Sequence, residues 1–304
     1  MKFNLKLLVT IPVLLFLPKI FLAQKEINCK IIDIESTKPI PYANIWIKNT
    51  NIGVTSNHKG DFSLKIDNLH LNDSIIISSI GFNDTLIKIS RIQSTINLKP
   101  KTYQIPEITA FPRQITEYVL NDLSETKFKG GIMNDTTPLI AGRYFPHNNK
   151  IIDQSYIKSV IIYSRDSHKG KLSLRLYSFD TLNIKPIKEL INKRIIVKTK
   201  KSIFFKAKPI EVDLSEYRIV FPKEGVLIGV EWLIIPENRY SVTFSKINGK
   251  KKEKRTMYSP SLCATIDKKN FKYSYRGGFW NGKIISKNRP EHYFNPAISL
   301  KLIH

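Results

Sequence analysis

Between residues 26 and 100 the apolar positions come in short runs that alternate with polar ones. Ile27, Cys29 and Ile31 form the first run, Ala43, Ile45 and Ile47 the second, and Phe62, Leu64 and Ile66 a later one. Thr50 to Val54 bends the chain, Asn57 to Asp61 is a turn, and Gly81 breaks the chain after the β-branched run from Asp73 to Ser79. Leu86, Ile87 and Ile89, then Ile96 and Leu98, close the set. A period of two places such residues on one face of a strand. Strands this short, with no helical period between them, predict a seven-stranded antiparallel sandwich over 24–100.

Residues 101–135 read as a connector. Ile115, Val119, Leu120 and Leu123 fall at helical spacing, so one short helix is expected over 115–128, with Gly130-Gly131 ending it. From Leu139 onward strand patterns return: Leu139 to Phe145, Tyr156 to Tyr163, Leu172 to Phe179, Arg194 to Thr199 and Ile210 to Leu214. Gly225 to Ile235 is the longest apolar run, followed by Ser241 to Phe244, Leu262 to Ile266, Phe271 to Tyr275 and Ala297 to Ile303. About ten strands over 136–304 predict a second, jelly-roll-like sandwich. The expected fold is therefore all-β, with one helix in the connector.

Several motifs then fall in a fixed order: Pro39-Ile40-Pro41-Tyr42-Ala43-Asn44-Ile45, Thr50-Asn51-Ile52-Gly53-Val54-Thr55, Gly60-Asp61-Phe62-Ser63-Leu64 and Ser78-Ser79-Ile80-Gly81-Phe82. Ile105-Pro106-Glu107-Ile108-Thr109-Ala110 looks like an exit strand. In this order and spacing they resemble the carboxypeptidase-regulatory-like domain over 26–110, about a quarter of the chain. The resemblance implies a transthyretin-like Greek-key sandwich, as found in front of TonB-dependent receptors and on exported bacterial proteins. It implies no peptidase activity, because the zinc-bearing catalytic domain of that name is a separate unit. The pattern Ser173 to Tyr177, Val212 to Ser215 and Gly229 to Trp232 is similar, more weakly, to carbohydrate-binding jelly rolls.

Composition adds a compartment. Lys2 and Lys6 precede an apolar run from Leu7 to Leu17, and Phe21-Leu22-Ala23 ends it with a small residue. Residues 1–23 read as a signal peptide cut after Ala23, since Pro12, Pro18 and Lys19 interrupt a run too short to span a bilayer. The expected location is the periplasm, the outer-membrane surface or the extracellular space, with no integral membrane span. The chain carries 49 Lys and Arg against 25 Asp and Glu, a net +24; removal of Lys2, Lys6 and Lys19 leaves +21. The basic residues are mostly lysines spread along the chain, and no nucleic-acid motif accompanies them. An anionic polysaccharide or cell-surface polymer, or an outer-membrane protein, is the better partner. The densest cluster, Lys246 to Arg255 around Asn248-Gly249, reads as a hairpin tip. Cys29 alternates with Ile27 and Ile31 and reads as a small core residue rather than half of a disulfide with Cys263.

No catalytic constellation stands out. The six histidines are scattered without metal-ligand spacing, and no cofactor is expected. Asp33, Asp61 and Asp84 read as turn caps rather than calcium ligands. Glu211 and Asp213, two residues apart, read as flanking a strand end rather than as a glycosidase pair. Arg175 and Glu231 each interrupt an apolar strand, so they are expected to pair across the sheet or to face solvent together. Ser74, Thr85, Thr136 and Thr181 each follow an aspartate and resemble acceptors for O-glycosylation of exported Gram-negative proteins. Arg276-Gly277-Gly278-Phe279-Trp280-Asn281-Gly282 carries a candidate ligand site. Trp280 would stack on a sugar ring while Arg276 and Asn281 bond its hydroxyls, unless Trp280 folds back as a plug over the sandwich end. The expected function is an exported, non-enzymatic envelope protein that binds a glycan or another protein, accessory to outer-membrane uptake. A glycan hydrolase with carboxylates from distant strands, or a structural envelope component, are the alternatives.

Overall fold

A computed structural model describes residues 25–102, 116–128, 130–149, 151–166, 168–202, 206–245, 252–282 and 292–304. The expected signal peptide, the exit strand at 105–110 and the hairpin tip around Asn248-Gly249 lie outside the described residues.

The first sandwich has seven strands: β1 (Lys25–Asp33), β2 (Asn44–Ile47), β3 (Gly53–Thr55), β4 (Asp61–Ile66), β5 (Ser74–Ser78), β6 (Thr85–Lys88) and β7 (Thr95–Leu98). They form a three-stranded sheet in the order β4-β1-β7 and a four-stranded sheet in the order β3-β2-β5-β6. The alternation read from the sequence is the cause. Ile27, Cys29, Ile31, Ile45, Ile47, Ile75 and Ile77 all enter one core. Gly60 takes φ +79°, and a Cβ there would lie 2.6 Å from the Ile31 carbonyl oxygen, so the turn before β4 needs glycine.

The second sandwich begins with β8 (Glu117–Leu120), β9 (Gly130–Asn134), β10 (Leu139–Phe145), β11 (Tyr156–Ser164), β12 (Lys171–Asp180), β13 (Lys185–Glu189), β14 (Ile195–Lys198) and β15 (Lys208–Asp213). It continues with β16 (Val226–Trp232), β17 (Arg239–Ser245), β18 (Lys252–Asp267), β19 (Lys272–Arg276), β20 (Phe279–Asn281), β21 (Tyr293–Pro296) and β22 (Ile298–Ile303). One sheet runs β13-β12-β16-β10-β19-β20, with β14 also on β12; the other runs β17-β18-β11-β22-β8, with β15 on β11 and β9 and β21 on β18. Leu172, Leu174, Leu176, Val230 and Trp232 from the first sheet meet Val160, Ile162, Leu300 and Leu302 from the second.

Over the described residues 116–128 the helix expected at 115–128 is absent. Glu117–Leu120 is a strand, antiparallel to β22, and the described residues hold only three-residue 3₁₀ turns as helix. The period is two. Tyr118 and Leu120 pack on the core, while Glu117 faces Lys158 and Lys301. β8 and β9 thus belong to the second sandwich. No helix among the described residues is long and apolar enough to cross a membrane. Cys29 and Cys263 are both buried free thiols, and burial pushes the Cys263 thiol up to about 11.

Both faces of β16 and β2 are buried, which a lone sandwich cannot do. The reason is that the two sandwiches stack. Trp46, on the outer face of β2, is fully buried; its Nε1 donates to the Pro138 carbonyl at 3.0 Å and its ring meets Tyr275 edge-on at 5.4 Å. Ile140 packs in the same cluster. The Gly277-Gly278 turn also abuts the first sandwich, where a Cβ on Gly278 would lie 2.2 Å from Ile76 Cδ1.

Candidate functional site

The stacked faces enclose a buried charge network. β12 and β16 are antiparallel neighbours with Arg175 opposite Gly229 and Ser173 opposite Glu231, so the Arg175 and Glu231 side chains lie diagonally across the ladder. The Glu231 carboxylate is fully buried and accepts bonds from Arg175 Nη1 at 3.0 Å and Arg194 Nη1 at 3.0 Å. It also accepts from Asn44 Nδ2 of the first sandwich. Arg175 donates its second Nη to Glu189, and Arg194 Nη2 reaches Ser79 Oγ at 3.2 Å. Burial alone would raise the Glu231 pKa; the two guanidiniums outweigh it and hold the carboxyl below its ordinary value.

Beside this network a cleft of about 260 Å³ opens between the sandwiches. Asn83, Asp84 and Lys101 line it from the first, and Tyr177, Tyr275 and Trp280 from the second; Arg175 and Glu189 line its charged end. Burial pushes the hydroxyls of Tyr177 and Tyr275 upward, so both remain neutral donors. Trp280 is half-buried. Its ring stands edge-on to Tyr177 at 5.1 Å and tilted to Tyr275 at 5.2 Å. It is placed there by the hairpin of β19 and β20, whose turn residues Gly277 and Gly278 take φ +64° and +93°. Trp280 is paired with Tyr275 across this hairpin.

Arg276 and Asn281 do not join Trp280. Alternate residues of a strand point to opposite faces. Arg276 is turned away to donate to Asn134 Oδ1 at 2.8 Å, and Asn281 is exposed opposite Ser274. Glu211 accepts from Ser159 Oγ at 2.6 Å and faces Lys301, and Asp213 caps Ser215. Asp33 caps Glu35 and Ser36. Among the described residues no three His, Cys, Asp or Glu side chains gather as a metal centre. Thr136 and Thr181 are exposed; Ser74 and Thr85 are half-buried.

The cleft residues Asn83, Lys101 and Glu189 escape sequence reasoning, and Asp84 and Tyr177 are read there only as a turn cap and a strand residue. They come from loops and strand faces far apart in the chain and carry no local pattern. Tyr275 ends the strand pattern Phe271 to Tyr275, and nothing in that pattern says that Trp46 of another sandwich covers it.

This arrangement is that of a two-sandwich, all-β protein with a polar and aromatic cleft at the junction. Residues 27–109 match the family model described as the CarboxypepD_reg-like domain, so the first sandwich is a carboxypeptidase-regulatory-like domain. No curated protein matches. Among solved structures, the clostridial cysteine protease Cwp84 after propeptide cleavage is similar with 14% identity and a TM-score of 0.36, over 76% of this chain and 51% of that one. This chain thus spans about half the length of that protein. The infectious bursal disease virus Gx strain structure is similar with 11% identity and a TM-score of 0.24, over 93% of this chain and 61% of that one.

Proposed function

We propose that this is an exported, non-enzymatic protein of the cell envelope that holds a short glycan in the cleft between its two sandwiches. The observation that carries the reading is the grouping of Trp280, Tyr177 and Tyr275 against Asn83, Asp84 and Lys101. Aromatic faces stack on the apolar side of a sugar ring, and the polar wall offers both donors and acceptors to its hydroxyls. A volume of about 260 Å³ is just under the ~300–1,000 Å³ of drug-sized pockets, which suits one or two sugar residues rather than a long chain. One observation favours the hydrolase alternative: Asp84 and Glu189 both line the cleft. Glu189 is ion-paired with Arg175, however, so its carboxylate is already engaged by a guanidinium rather than free to reach a glycosidic oxygen.

A glycan array probed with residues 24–304 tests the proposal. Wild type should retain a defined set of glycans, and Trp280→Ala should lose them by tenfold or more. The variant should remain folded, losing about 1–2 kcal/mol of stability, the order expected for two aromatic edge contacts at a half-exposed site. An array with no retained glycan, or undiminished binding by the variant, counts against the cleft. A larger loss of stability would instead make Trp280 a plug.

The four aspartate-preceded hydroxyls are proposed as O-glycan acceptors, with Thr136 and Thr181 favoured by exposure. Thr136 lies in the turn between β9 and β10, and Thr181 in the turn after Asp180, whose carboxylate caps Leu182 and Asn183. Intact-mass spectrometry of protein from its native host should show added hexose-sized mass that Thr136→Ala and Thr181→Ala together reduce. A mass equal to the bare mature chain would end this proposal.

A further inference from the structure

At one end of the second sandwich three buried side chains each hold a polar atom that no hydrogen bond satisfies. Ser164 ends β11, Asp166 follows it, and Ser259 lies in β18; each is 1% exposed. Asp166 Oδ2, Ser164 Oγ and Ser259 Oγ are buried without a hydrogen-bond partner. The other carboxylate oxygen, Oδ1, accepts from the Ser261 N–H at 2.7 Å, which fixes the carboxylate in place. Burial pushes the carboxyl up to about 6, against the Ser261 N–H and the hydroxyls of Ser164, Thr199 and Ser259, which lie close enough to pull it back down.

The frame around this cluster is tight. The Asp166 carbonyl accepts from Ser202 N–H at 2.6 Å, and Arg165 N–H donates to the Ser261 carbonyl at 2.8 Å. Thr199 Oγ1 accepts from Gly170 N–H at 2.9 Å. A Cβ on Gly170 would lie 2.5 Å from Ser259 Cβ, so a side chain there would push the serine away. No lysine or arginine among the described residues forms an ion pair with Asp166; the adjacent Arg165 donates to the Phe128 carbonyl instead.

A buried carboxylate with no cation is costly, and so is each buried hydroxyl left unbonded. Here the costs converge on one point, and each buried unsatisfied group calls for a partner. The donors are all oxygens, with no imidazole or thiolate among them. That chemistry selects a hard cation and disfavours zinc or copper. We propose that Asp166, Ser164, Thr199 and Ser259 form a binding site for a hard, oxygen-ligated cation, sodium or calcium. One carboxylate balances one sodium charge; calcium would leave one positive charge buried, so the sodium arm is expected to respond first. The ion would tie the loop after β11 to the segment after β14 and to the middle of β18. The site is separate from the glycan cleft and does not depend on that reading.

The test uses the whole mature chain, stripped with EDTA and exchanged into choline chloride. Melting temperature is then followed as sodium chloride or calcium chloride replaces choline at constant ionic strength. One of the two ions should raise the melting temperature by several degrees and saturate, as mass action requires for a ligand of the native state. Asp166→Asn should abolish the rise. Ser259→Ala, which keeps the carboxylate, should move the half-saturating concentration upward by tenfold or more; it carries the test should Asp166→Asn fail to fold. Equal melting temperatures in all three salts would mean a carboxyl that is simply protonated when buried, and would overturn the site. A rise of equal size in Asp166→Asn would overturn it as well.

Discussion

Glu231→Ala should destabilise the protein by about 3–5 kcal/mol, because it strands two buried guanidiniums without their counter-charge. Arg175 and Arg194 both converge on this carboxylate at 3.0 Å, and their side chains are only 5% and 12% exposed. Asn44 of the first sandwich loses its acceptor in the same step, so the cost falls on the junction as well as on the sheet. The measurement is urea unfolding, with the midpoint lowered at unchanged slope. A loss under about 1 kcal/mol would show that the network relaxes around solvent and is not a buried lock. The same group makes a pH prediction. Its native pKa lies below the ordinary 4.5, so the stability it supplies is fully present above that value and disappears as pH falls through the lower native one. Glu231→Gln should flatten the wild-type loss of stability below pH 4.5, and identical acid profiles would contradict the assignment.

The strands of both sandwiches are legible in the chain because each half-buried strand carries its own alternation. Ile27, Cys29 and Ile31 need no partner to be recognised, and Leu139–Phe145 reads as the strand that it is. The failures come where the pattern is too short to fix a period. Over residues 115–123, apolar residues at Ile115, Val119, Leu120 and Leu123 fit a helix; only the pairing with Leu300–Ile303 decides that Tyr118 and Leu120 are the buried pair. β13, β20 and β21 have three to five residues each and rely on neighbouring strands in the same way. Arg175 and Glu231 are visible as charges in apolar runs, but Arg194 and Glu189, which complete their network, sit in unremarkable polar surroundings, and Asn44 lies in an apolar run that does not say what its amide meets. The cleft is less legible still. Two outer faces, each ordinary by itself, become a site only when they meet, and no local period encodes that meeting.

The stacking itself can be tested at Trp46. On an isolated first sandwich, the outer face of β2 would leave this ring in water, and its removal would cost little. In the structure the ring is fully buried, packs against Ile140 and Tyr275, and donates to Pro138. Trp46→Ala should therefore destabilise by about 3–5 kcal/mol, the range of large-to-small changes in a core. Trp46→Phe separates the two contributions. It keeps most of the apolar contact but leaves the Pro138 carbonyl without its donor, at about 1–3 kcal/mol. Unfolding of both variants alongside wild type gives the comparison. If Trp46→Ala costs less than about 1 kcal/mol, the sandwiches are merely tethered, and the cleft that depends on their contact loses its second wall. If it costs the full amount, the regulatory-like domain is a fixed half of the site, because Asn83, Asp84 and Lys101 can line the cleft only while β2 stays pressed against Ile140 and Tyr275.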